Sequence, residues 1–332
     1  MQYPILRSGA ALIHHPETSK THIALNGLEV AVSGFSHASL EKFLLAMNGN
    51  EELEKLIHDH AMAPEATKAI IRDLQRLDLI KVLDKPCQLT ISPSDFAAAC
   101  RNIFPIWKKN VFHHDFWVRL TDGSASRTEF MGWLLENFYF IEGATIRLSA
   151  VSAACKHKKM RQHFSKHFTE EYNHHHFFMK ALKLAGMTEQ QVRQHNPLPS
   201  TMAIMNHMRE CARRDPISYA ACSAFLESTG ENRVSSMQFF DLLSKHFDTD
   251  KIGIIKPLVD HAHLDEDYGH NDWLEKICAE LPVLEMERAN QALQSARTLV
   301  EHLSAWSDDM QKHYGAKTLE EALRPHSFRQ FN

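Results

Sequence analysis

The order of apolar and polar positions divides the chain into two parts. Residues 1–30 carry few helix signals. Two short alternating runs, Thr21-His22-Ile23-Ala24-Leu25 and Leu28-Glu29-Val30-Ala31-Val32, flank Asn26-Gly27 there. Asn-Gly between alternating apolar residues supplies the positive φ angles of a two-residue turn, so the pattern predicts a β-hairpin. Ser36 to Ser39 then offers N-caps for a helix carrying Leu40, Phe43, Leu44 and Met47, ended by Asn48-Gly49-Asn50. A second helix, at about 51–61, has Leu53, Leu56 and Ile57 on one side. Pro64 stands in the first turn of a third, which carries Ile70, Ile71, Leu74 and Leu77. Leu79 to Leu83 reads as a closing strand. Hairpin, three helices and strand predict a small α+β domain of winged-helix type over residues 1–85.

Pro86, Pro93 and Pro105 punctuate the next stretch, which predicts a linker and a short helix from Ser94 to Ile103, together 86–105. From 106 onward strand signals fade and amphipathic helices dominate. They are expected at about 126–154, 157–185, 199–213, 215–246, 251–279 and 283–313. Breaks fall at Gly186, Asn196-Pro197-Leu198-Pro199, Asp215-Pro216, Asp248 to Asp250 and Pro282. Six or seven helices with short loops make a mainly α domain over 106–313, with a polar tail at 314–332.

Composition narrows the function. The chain has 332 residues, 44% of them hydrophobic, enough for a sizeable core. Lys and Arg total 37 against 41 Asp and Glu, a net charge of −4, so no basic face points to nucleic acid. No apolar run is long enough for a membrane span. The N-terminus, Met1-Gln2-Tyr3-Pro4-Ile5-Leu6-Arg7, lacks the build of an export signal, so a cytoplasmic protein is expected. The six cysteines, at 87, 100, 155, 211, 222 and 278, form no CxxC and read as reduced core thiols. No glycine-rich phosphate loop is present, which argues against nucleotide chemistry.

Candidate chemistry lies in histidines and carboxylates inside the apolar helices. His263, Asp267 and His270 stand at i, i+4 and i+7, one helical face with two imidazoles and a carboxylate. With 23 His in the chain, some such spacings arise by chance. In Glu170-Glu171-Tyr172-Asn173-His174, Glu171 and His174 have the Glu-x-x-His spacing that di-iron bundles turn inward, with Glu170 as the competing carboxylate. Glu227 follows an almost charge-free run, and a buried lone carboxylate needs a cation, a donor or a metal. In Trp133 to Ala144, Glu142 is preferred over Glu136 as a further ligand, against a plain ion pair with Arg147 or Arg127. The set Glu142, Glu171, His174, Glu227, His263, Asp267 and His270 holds four carboxylates and three imidazoles. That mixture suits iron or manganese more than zinc, and its size suits two ions.

From about 106 to 310 the chain resembles the haem-oxygenase-like di-metal oxidases and oxygenases, relatives of the TenA and PqqC proteins. The phrases that carry this are "VFHHDFWVRLTDGSASRTEFMGWLLENFYF", "FTEEYNHHHFFMKALKLAGM", "SAFLESTG" and "HLDEDYGHNDWL", the last holding His-x3-Asp-x2-His as His263, Asp267 and His270. The intervals from His174 to Glu227 and from Glu227 to His263 also keep to that family. One departure stands out: in several members the Glu paired with the first His lies one or two turns upstream, a slot filled here by His167 or a neighbour. The resemblance implies a seven-helix bundle, two Fe(2+) per chain with manganese as the alternative, and O2 as co-substrate. It also implies oxidation of an amino-acid-derived or peptide-borne substrate in a biosynthetic pathway. Phe138, Tyr139, Phe177, Phe178 and Trp273 are the aromatic candidates for a pocket wall. The phrase "LLAMNGNEELEKLIHDH…IIRDLQRLDLIKVL" resembles PqqD-like peptide-recognition modules, which implies a leader peptide or carrier as partner. A homodimer is open to the chain, while the sequence leaves the oligomeric state undetermined; neither a membrane nor nucleic acid is expected as partner. Two other classes compete: a metal-free TenA- or PqqC-like enzyme using Glu227 in acid–base work, and a ligand-sensing regulator whose N-terminal domain touches DNA through Lys68, Arg72 and Arg76.

Overall fold

The computed structural model of the protein describes residues 2–7, 10–15, 20–25, 28–86, 90–227, 233–248, 252–268 and 272–323, the side chains of 233–236 and 265–268 excepted. The chain forms two compact units that divide between Thr90 and Ile91.

The first unit holds β1 (Tyr3–Leu6), β2 (Ala11–His15), β3 (Lys20–Leu25), β4 (Leu28–Val32), α1 (His37–Ala46), α2 (Leu53–Asp59), α3 (Pro64–Arg76) and β5 (Ile80–Leu83). The expected hairpin is β3–β4, with Leu25 opposite Leu28; its Asn26-Gly27 turn lies outside the described residues. β2 adds to β3 as a third antiparallel strand, and β1 pairs with β5 apart from this sheet. Neither β1 nor β2 was expected, because short runs without a turn signal leave strand pairing unspecified. Ser36 caps α1 by accepting from the Ser39 N–H. The helices bury Leu40, Phe43, Leu44, Leu56, Ile57, Ile71 and Leu74 together with Ile23 of β3. Lys68 is held by Glu54 and Arg76 by Asp73, so two of the three cations proposed for phosphate are engaged within the unit.

The second unit is helical: α4 (Pro93–Phe112), α5 (Asp115–Asp122), α6 (Arg127–Glu142), α7 (Ala144–Ala154), α8 (Lys158–Glu171), α9 (His175–Leu184), α10 (Glu189–Gln194), α11 (Pro199–Arg214), α12 (Pro216–Glu227), α13 (Arg233–Phe247), α14 (Lys256–Tyr268), α15 (Trp273–Cys278), α16 (Met286–Tyr314) and α17 (Leu319–Leu323). Among the described residues no helix is long and apolar enough to cross a membrane.

Three departures from the sequence pattern matter for function. α4 runs straight through Pro105, where a stop was expected. An internal proline costs roughly 3 kcal/mol, and the burial of Cys100, Phe104, Trp107 and Val111 on one face of α4 offsets it. The stretch 126–154 is two helices, parted at Gly143, where a β-carbon would strike the Met205 side chain. The stretch 157–185 is also two, parted at 172–174, and that break sets the position of His174.

The expected polar tail begins too early. Tyr314 is fully buried at the end of α16, and its hydroxyl donates to Glu136 over 2.7 Å. Gly132, one turn before Glu136 on α6, leaves the space that the Tyr314 ring fills; a side chain there would overlap it.

Candidate metal centre

The site grows from α8. His167, Glu171 and His174 stand at i, i+4 and i+7, the spacing already noted for His263, Asp267 and His270. His167 is 2% exposed and His174 is 1% exposed. His167 Nε2 lies 3.6 Å from Glu171 Oε1, and His174 Nδ1 lies 3.3 Å from the same oxygen. Glu171 thus lies between two imidazoles, and Glu170 pairs with Lys166 at 2.9 Å. Burial alone would raise the Glu171 carboxyl; hydrogen bonds from His167 and His174 outweigh it and hold the group well below the usual carboxylate range.

Glu227 enters from the end of α12. Its Oε1 lies 3.5 Å from His167 Nε2 and accepts from the Ser223 hydroxyl over 2.6 Å, one turn back on the same helix. Burial disfavours the charged form of His167, and the Glu227 and Glu171 carboxylates more than restore it, so its pKa is raised. Two imidazoles and two carboxylates therefore alternate in a row, Glu227–His167–Glu171–His174, with both imidazoles buried. Burying such charges singly costs several kcal/mol each, so the group is stable only as a set or around a cation.

Aromatic rings fix the imidazoles. Trp273 packs edge-on to His167 at 4.5 Å between centroids. From α14, His261 stands edge-on to His174 at 4.8 Å, with Phe177 and Phe178 against His261. Phe138 and Tyr139 do not share this role: Phe138 is fully buried core, and the Tyr139 hydroxyl donates to the Val192 and His195 carbonyls.

The expected ligands thus separate. Glu171, His174 and Glu227 are brought together. Glu142 is not: its side chain is half-exposed and pairs with Arg193 at 3.4 Å, because the last turn of α6 points it outward beside α10. Glu136 is buried on the same helix but saturated by other partners, the Leu198 N–H, the Thr201 and Tyr314 hydroxyls and His195. His263 is exposed on α14, and His261, two residues earlier, is the imidazole that α14 presents to His174. The side chain of Asp267 and all of His270 lie outside the described residues. His167, which the resemblance set in the slot of an upstream glutamate but not in the ligand set, stands next to both carboxylates.

The helical unit also holds a cavity of about 160 Å³, lined by none of these candidate ligands but mainly by Val111, Trp117, Phe140, Phe225, Leu226 and Trp306. Lys108 is its cationic member, donating to the Leu226 carbonyl over 3.3 Å and lying 5.7 Å from the Phe225 ring centroid. Burial lowers the Lys108 pKa to about 8, against a smaller opposing pull from Glu227. An amine-selective reagent is therefore expected to label Lys108 half-maximally near pH 8, where ordinary lysines remain protonated; peptide mass mapping across pH 7 to 10 checks this.

Residues 101–251 match the model of the TENA/THI-4/PQQC family. The pyrroloquinoline-quinone synthase of Cronobacter sakazakii is 23% identical over 150 residues, 42% of this chain; the match spans only 57% of that relative's length. A domain of unknown function with a heme oxygenase-like fold from Shewanella denitrificans superposes with a TM-score of 0.56 at 15% identity, over 68% of this chain and 94% of that one. A TenA homolog from Pseudomonas syringae pv. tomato gives 0.52 at 14% identity, over 69% and 99%. The helical unit has the haem-oxygenase-like fold. The stretch that matches the family model contains His167, Glu171, His174 and Glu227 and ends before α14.

Proposed function

From a haem-oxygenase-like unit of TENA/THI-4/PQQC kind, we propose a non-haem di-metal enzyme that oxidises a small, mostly apolar substrate with O2. The observation that carries this reading is the row Glu227–His167–Glu171–His174, in which neighbouring donor atoms lie 3.3–3.6 Å apart inside the helical unit. The donor set fits iron or manganese: nitrogen and carboxylate oxygen, with no sulfur among these four. We propose His174, Glu171 and Glu227 as ligands, His167 in the slot where relatives place a carboxylate, and Asp267, His270 and His263 or His261 from the far side. Bound iron(II) would supply the activation of O2.

The chain's own residues do the rest. The Ser223 hydroxyl orients Glu227 through Oε1. Glu171 fixes the rings of His167 and His174, and Trp273 and Phe177 pack against those imidazoles. The cavity holds a body the size of one amino-acid side chain, since a comparable space of about 150 Å³ takes up benzene. Lys108 faces it and would receive a carboxylate or another anionic group. The N-terminal unit is proposed to hold a leader peptide or carrier that delivers the substrate.

A second reading, metal-free acid–base chemistry at Glu227, is favoured by the likeness to a pyrroloquinoline-quinone synthase. Iron analysis after aerobic loading with iron(II) separates the two. Two irons per chain and iron-dependent turnover support the di-metal reading; undiminished turnover in metal-free protein overturns it.

A further inference from the structure

A second, softer donor cluster lies between α11, α12 and α16. His207 and Cys211 stand one turn apart on α11, and Cys222 faces them from α12. Cys211 is 2% exposed and Cys222 fully buried, both with free thiols. His207 Nε2 lies 3.7 Å from Cys211 Sγ and 4.0 Å from Cys222 Sγ, and the three donor atoms all fall within 4.8 Å of one another. The same nitrogen is 2.9 Å from the Ser295 carbonyl oxygen of α16.

Without a metal, the Nε2 proton of His207 is held by that carbonyl. In a tetrahedral zinc site with Zn–S of about 2.3 Å and Zn–N of about 2.05 Å, nitrogen and sulfur ligands stand about 3.6 Å apart. The observed separations are close to that edge. Asp215, at the corner between α11 and α12, accepts from Arg288 of α16 over 2.8 Å, so the three helices are held in register around the cluster.

We propose that His207, Cys211 and Cys222 bind one Zn²⁺, with the fourth position taken by a small exogenous ligand such as water. Both thiols release their protons on binding, and the His207 proton moves to Nδ1 so that Nε2 faces the metal. The ion pins α11 to α12, the helix that carries Glu227. The site shares no residue with the proposed oxidase centre, so each can fail without the other.

The test uses the full chain, reduced and stripped with a chelator, titrated with Co²⁺ as a spectroscopic probe. The expected result is thiolate-to-cobalt absorption that saturates at one Co²⁺ per chain and is bleached by one equivalent of Zn²⁺. It is expected to vanish in Cys211→Ser and Cys222→Ser and to persist in Cys100→Ser and Glu227→Ala. Absence of that absorption in the wild-type protein, or its persistence in Cys211→Ser, overturns the proposal. Should the cysteine variants fail to fold, alkylation of the wild-type thiols decides: Zn²⁺ is expected to protect Cys211 and Cys222, and equal labelling with and without Zn²⁺ overturns the site.

Discussion

His174→Ala protein, loaded aerobically with iron(II), is expected to bind iron more than about 100-fold more weakly than the parent and to lose turnover with it. Removing a partner that merely orients a ligand already costs 10- to 100-fold in affinity, and His174 is placed as a ligand itself. Its ring is buried, contacts Glu171 at 3.3 Å, and is backed by His261 and Phe177. Glu227→Ala should act alike, because it removes a carboxylate reaching His167 at 3.5 Å. Glu142→Ala should leave iron content unchanged, since Glu142 pairs with Arg193 at the surface. Metal analysis of the three proteins, each checked for folding by its thermal melt, tests the ligand assignment. Full iron content in both His174→Ala and Glu227→Ala sinks it.

Glu136→Ala is expected to do the opposite: leave iron in place and cost stability. The carboxylate sits at 0% exposure and accepts from the Leu198 N–H at 3.0 Å, the Tyr314 hydroxyl at 2.7 Å, the Thr201 hydroxyl and His195. It ties α6, the start of α11 and the end of α16 into one knot, and the Trp306 indole extends it by donating to Thr201 at 2.8 Å. Removing one member of such a buried network strands the others without acceptors, at a cost of about 3–5 kcal/mol. For a unit of this size the melting temperature should fall by roughly 6–20 °C. Glu136→Gln should lose less, since its amide oxygen still accepts from one pair of donors. A melting temperature within a degree of the parent for Glu136→Ala would mean that the network does not hold these helices.

These two carboxylates lie six residues apart on one helix, and the sequence could not assign their roles. Both interrupt an apolar run. The helical repeat places Glu136 and Glu142 on different faces of α6, but it does not say which face meets α11 and α16 and which meets solvent and Arg193.

What the sequence determined was local and periodic. The 3.6-residue repeat identified the second unit as helical and turned Glu171 and His174 to one side of their segment. Asn-Gly between alternating strands specified the β3–β4 hairpin. The charge-free run before Glu227 marked a buried carboxylate that required partners. Tertiary packing decided the remainder. It carried α4 through Pro105, because a buried apolar face outweighed one lost backbone hydrogen bond. It parted helices at Gly143, where Met205 crowds the chain, and at 172–174. It brought His167 to Glu227 across 60 residues of sequence and presented His261 to His174 while leaving His263 exposed. A periodic pattern fixes a residue's direction relative to its own helix axis. Which neighbour it then meets depends on how the helices are rotated against one another, and that is settled by contacts far apart in the chain.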